Sequence, residues 1–140
     1  MPYLFDTDAV SELLRAKPAP AFVRWVETIP REDQFISAIT AGELYHGAYR
    51  SAARDRHLQN IEQRVLPAVT TLPFDVAVAK IFGSLRAELE AAGKRLDDAD
   101  LQIAATAIHH GVELVTGNVR HFQRIPDLHI HPALADARGK

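Results

Sequence analysis

Short apolar runs set apart by helix-length segments constrain this chain more than any other feature. Tyr3-Leu4-Phe5, Gln34-Phe35-Ile36-Ser37, Val69-Thr70-Thr71-Leu72, Val112-Glu113-Leu114-Val115 and residues 128–130 read as strands. Strands kept apart by helices cannot close tight hairpins. They pair side by side through crossovers, so the expectation is an α/β sandwich around a parallel sheet. In such sheets ligands gather beyond the carboxyl ends of the strands. Asp6 and Thr116-Gly117-Asn118 fall at two such ends.

The helices are expected over 9–14, preceded by Asp8, and over 21–28, with Phe22, Trp25, Val26 and Ile29 on one face. A third, capped by Ser37 or Thr40, should run to about residue 53, and a fourth over 54–66 is stopped by Pro67. The last two are 75–92, ended by Gly93, and 99–110, capped by Asp97 or Asp98 and ended by Gly111.

At 140 residues, with 47% hydrophobic and 24% charged side chains, the chain is expected to form one soluble domain over 1–140. A net charge of −2 disfavours a strongly basic, non-specific nucleic-acid binder but allows a local basic patch. The absence of cysteine removes disulfides, thiolate metal sites and cysteine nucleophiles together, and fits a cytoplasmic location. No signal peptide and no membrane span are expected.

Four places carry candidate chemistry: Asp6, Glu43, the run Asp97-Asp98-Ala99-Asp100, and Asn118. Each has a bland reading. Asp6 and Asp8 precede a helix, Thr40 and Glu43 have the spacing of a capping box, and acids favour helix starts. Should the carboxylates converge instead, their like charges need a counter-charge, and a hard divalent cation such as Mg²⁺ or Mn²⁺ suits oxygen ligands. Gly42 inside a helix costs about 1 kcal/mol relative to alanine, which is easier to understand where something approaches the backbone closely. His129 and His131 share one side of a strand, where two imidazoles either face solvent or ligate a transition metal.

Taken in order, Leu4-Phe5-Asp6-Thr7-Asp8, Ser37 through Glu43-Leu44, Asp100-Leu101-Gln102-Ile103-Ala104-Ala105 and Leu114 through Asn118 to Phe122 form a set that resembles the PIN-domain ribonucleases. The likeness is to VapC-type toxins of bacterial type II toxin–antitoxin pairs. It implies a PIN-like three-layer sandwich, with a mostly parallel sheet of four to five strands flanked by helices. It also implies an endoribonuclease that cuts RNA with a water activated by Mg²⁺ or Mn²⁺. By position, Asp6, Glu43 and Asp100 match the family's metal-binding and catalytic acids. Asn118 stands where many relatives carry a fourth acid. Asp98 and Thr116 become supporting or second-ion residues. Asp8 stands where relatives often have asparagine or serine, so capping is its expected role.

The same resemblance implies an RNA substrate, a homodimer built on helical faces, and a VapB-like antitoxin whose arginine enters the carboxylate pocket. Basic candidates for RNA are Arg15, Lys17, Arg50, Arg54, Lys94, Arg95 and Arg120. Phe22, Trp25 and the Leu44-Tyr45 region serve either a partner or the core. Two other readings compete: a haloacid-dehalogenase-like phosphatase with Asp6 as nucleophile and Asp8 as acid/base, and a non-catalytic α/β binding module.

Overall fold

The computed structural model describes residues 2–139. Strands β1 (Tyr3–Phe5), β2 (Gln34–Ser37), β3 (Thr70–Leu72), β4 (Glu113–Val115) and β5 (Ile130–His131) pair in parallel, in the order β3-β2-β1-β4-β5. Helices α1 (Thr7–Leu14), α2 (Pro20–Glu27), α3 (Ala38–Tyr49), α4 (Arg54–Asn60), α5 (Val76–Ala91), α6 (Asp98–His110), α7 (Val119–Phe122) and α8 (Ala133–Ala137) flank the sheet, with a 3₁₀ turn at Arg31–Asp33 before β2. The expected α/β sandwich is borne out, with five strands and no antiparallel pair among them.

Central strands covered on both faces bury most of their side chains and are therefore largely apolar. Leu4 and Leu114 lie in register and enter one cluster with Val78, Leu85, Leu101 and Ile103 from α5 and α6. Phe5 and Val115, one residue on, enter the opposite cluster with Val10, Phe22 and Leu134 from α1, α2 and α8. Each such buried side chain stabilises the fold by roughly 1.5–3 kcal/mol. The small residues Ala104, Ala105 and Ala107, fully buried, let α6 approach the sheet closely.

The order of winding locates the site. From β1 the chain adds β2 and then β3 on one side. It then returns to lay β4 and β5 on the other. The direction of winding therefore reverses between β1 and β4, and a crevice opens beyond their carboxyl ends. Asp6 directly follows β1, Thr116 directly follows β4, and α3 begins directly after β2.

Several boundaries differ from expectation. Asp6, not Asp8, caps α1: its Oδ1 accepts the Ala9 N–H at 2.8 Å. Ser37 caps α3 by accepting the Ile39 N–H at 3.0 Å, so Thr40 and Glu43 form no capping box. α3 stops at Tyr49 because the Ser51 hydroxyl captures the Ala53 N–H at 3.0 Å, a local turn that competes with helix. The expected helix over 54–66 holds only to Asn60, continues as a π turn over Ile61–Val65, and tightens to a 3₁₀ turn at Pro67.

Phe22 is fully buried, and Trp25 stacks on His131 with centroids 4.4 Å apart. Packing, rather than a partner, accounts for both. The His131 Nδ1 accepts the Ala133 N–H at 3.2 Å, so that nitrogen is already engaged. Among the described residues no helix is long and apolar enough to cross a membrane.

Candidate active site

A cavity of about 450 Å³ opens at the winding reversal, bordered by Asp6, Asp8, Glu43, Asp100 and Asn118. Asp6 forms its floor and is 5% exposed. Burial pushes its carboxyl up to about 7; hydrogen bonds from Thr116 and the Ala9 N–H oppose the rise, and the Asp8 and Asp100 charges add to it. Thr116 is fully buried, and its Oγ1 accepts the Asn118 N–H at 3.0 Å, which ties the loop after β4 to the floor.

Glu43 reaches the same cavity from α3. Its carboxylate accepts a hydrogen bond from the Thr7 hydroxyl, which lies 3.3 Å from the Thr40 hydroxyl. Asp100, in the first turn of α6, has Oδ2 3.1 Å from His121 Nε2. Burial raises its pKa, His121 lowers it, and Asp97 and Glu43 raise it further. Three carboxylates from three elements thus feel one another across one space.

They are not gathered into a ready coordination shell. Among the described residues no group of three acidic or histidine side chains is drawn together as metal ligands. Glu43 is held by Thr7 and Asp100 by His121. The donor set nevertheless fits a hard cation: it is all oxygen, its deepest member is a buried carboxylate, and its charges repel one another.

The remaining candidates divide. Asn118 borders the cavity as the neutral residue before α7. Asp98 does not: it lies 3.3 Å from Arg86 and, with Lys94 and Arg95 of the segment between α5 and α6, borders a separate small pocket. Arg15 pairs with Glu12 at 3.2 Å and borders a neighbouring cavity of about 410 Å³ between α1 and α3. That second cavity shares Thr7, Glu43 and Gly47 with the first. Arg120 is exposed on α7, two residues beyond Asn118.

Two basic groups border the acidic cavity, His46 and Arg50. Arg50 was a sequence candidate and His46 was not. Spacings of three and seven residues from Glu43 put both on its helix face, a signal that was available. His121 and Arg138 were also missed. Arg138 holds both oxygens of Asp8, each at 2.9 Å. This corrects the capping role expected for Asp8, and it leaves the phosphatase reading without a free acid/base.

The PIN domain family model matches residues 3–128. The chain is 36% identical over 125 residues to the VapC ribonuclease Y4jK of Sinorhizobium fredii, covering 86% of this chain and 89% of that protein. It is 36% identical over 124 residues to Toxin FitB of Neisseria gonorrhoeae, covering 85% and 89%. Among solved structures, VapBC2 from Rickettsia felis, bound to a DNA fragment from its promoter, superposes with a TM-score of 0.85 at 27% identity, covering 94% and 98%.

Proposed function

This chain belongs to the PIN-domain family, and on that premise we propose that it is a VapC-type endoribonuclease, the toxin of a toxin–antitoxin pair, working in the cytoplasm with Mg²⁺ or Mn²⁺. The observation that carries the reading is the meeting of Asp6, Glu43 and Asp100 on one cavity at the winding reversal. Asp6, Glu43 and Asp100 would hold the ion, with Asn118 beside them. When bound, the ion supplies Lewis-acid activation of a water and offsets charge on the phosphoryl group.

The chain's own residues supply orientation. The Ala9 N–H and Thr116 fix Asp6, Thr7 fixes Glu43, and His121 holds one oxygen of Asp100. His46 and Arg50 put positive charge on the α3 wall, where a phosphodiester would otherwise meet only carboxylates. No nucleophilic side chain is required, in keeping with a sequence without cysteine.

The antitoxin would silence the site with an arginine entering the carboxylates, by charge-assisted hydrogen bonding. The toxin would pair with a second copy through helical faces. The deciding experiment compares the wild type with Asp6→Asn and Glu43→Gln. Both variants should lose RNA cleavage and growth inhibition while keeping the wild-type circular dichroism spectrum. Cleavage retained by both would end the nuclease reading.

A further inference from the structure

Arg138, from the turn after α8, lies against the active-site edge in a geometry that neither local helix capping nor the core explains. Its Nη1 and Nη2 meet the two oxygens of Asp8 at 2.9 Å each, and Nη2 also reaches Glu12 Oε1 at 2.7 Å. Glu12 is 3% exposed and takes further hydrogen bonds from the Ala19 N–H at 2.9 Å and from Arg15 at 3.2 Å. Two carboxylates therefore face two guanidiniums, and this group is neutral. Asp6, Glu43 and Asp100 are left outside it.

The loop after β4 is shaped around the pair. A Cβ at Gly117 would lie 2.2 Å from Arg138 Nη1 and 2.6 Å from Asp8 Oδ2. Gly117 stands between Thr116, which orients Asp6, and Asn118, which borders the cavity. The guanidinium thus packs on the segment that builds the site.

Asp8 borders the same cavity two residues after Asp6, and its side chain is 43% exposed. Released, it is a fourth carboxylate within the acidic wall, on a side chain with room to turn. Held by both oxygens in a planar fork, it has two of its about four acceptor directions taken and its plane fixed against turning toward a cation. We infer that Arg138 is a positioning residue for cation binding, whose fork on Asp8 keeps that carboxylate out of the coordination shell and leaves the shell to Asp6, Glu43 and Asp100.

The inference rests on the metal-dependent reading of the site. Its test uses the full chain without RNA and reads Mn²⁺ affinity by calorimetric titration. Removing Arg138 alone would leave the buried Glu12 charge without its nearest cationic partner, so the first variant is Glu12→Gln with Arg138→Gln. The second is Arg138→Lys, which keeps the charge and loses the fork, and it decides the matter if the first does not fold. Mn²⁺ should bind at least about fivefold tighter, the low end of coupling between linked sites. Adding Asp8→Asn should erase the gain.

Affinity equal to or weaker than wild type, or a gain that survives Asp8→Asn, overturns the inference. Should wild-type binding vanish in Asp6→Asn while the Arg138 variants match wild type, only this inference falls. A wild type that binds no Mn²⁺ takes the nuclease reading down with it.

Discussion

Replacing Asp6 by asparagine should make the protein more stable, and only at neutral and alkaline pH. The carboxyl is raised from 3.8 to about 7, chiefly by burial. A folded-state pKa above the unfolded one means that the native state prefers the proton. Below pH 3.8 both states hold it and no penalty exists. As pH climbs the penalty grows, and it is complete above pH 7. At 1.36 kcal/mol per unit the full difference corresponds to ~4 kcal/mol. Asparagine keeps the oxygen that caps α1 through the Ala9 N–H. It also buries a new NH₂ beside Thr116, so a net gain of about 1–3 kcal/mol is expected at pH 8. The assay is urea unfolding of both proteins in EDTA at pH 4.5 and pH 8. A variant no more stable than wild type at pH 8, or equally favoured at both pH values, refutes the reasoning. Adding Mn²⁺ should close the gap from the wild-type side, by about 2.7 kcal/mol at a hundredfold excess over its Kd.

Other outcomes follow from the same structure. Arg50→Ala should raise KM for RNA about tenfold and lower the salt dependence of binding by about one phosphate contact, with Mn²⁺ affinity unchanged in titration. Glu12, whose pKa is lowered first by Arg138 and then by the Ala19 N–H, lends stability that is present above about pH 4.5 and is lost as pH falls through its folded value. Wild type should therefore lose more stability than Glu12→Gln between about pH 5 and pH 3, and parallel urea midpoints would contradict this. Phe22→Ala empties a fully buried position and should cost about 3–5 kcal/mol by denaturant unfolding.

What was legible in the sequence had local causes. β2 was read to the residue, because Gln34–Ser37 follows the polar turn Arg31–Asp33 and is closed by a serine that can cap. Of the candidate acids, Asp6 was legible from its place after a strand, where fold class says ligands collect; Glu43, midway along α3, and Asp100 were singled out by the ordered motifs that resemble the family. The Asp8–Arg138 pair spans 130 residues, and no periodicity links them. Asp8 was therefore assigned to the helix it enters rather than to a partner brought by α8. Asp98 was placed near the site because it neighbours Asp100 in sequence. Two residues along a helix turn a side chain by about 200°, enough to send it to Arg86 instead. The early end of α3 turned on one hydroxyl, Ser51, against a helical pattern that continued on paper.

β1 sits in the middle of the sheet, between strands that come later in the chain. β1 waits for β2 on one flank and for β4, about 110 residues later, on the other. Its terminal aspartate has no counterpart from α6 until residue 100 has been added, and no Thr116 to orient it until β4 has docked. A nascent chain that has not yet reached β4 therefore carries the candidate site unassembled, with Asp6 and Glu43 in place before the residues that face them.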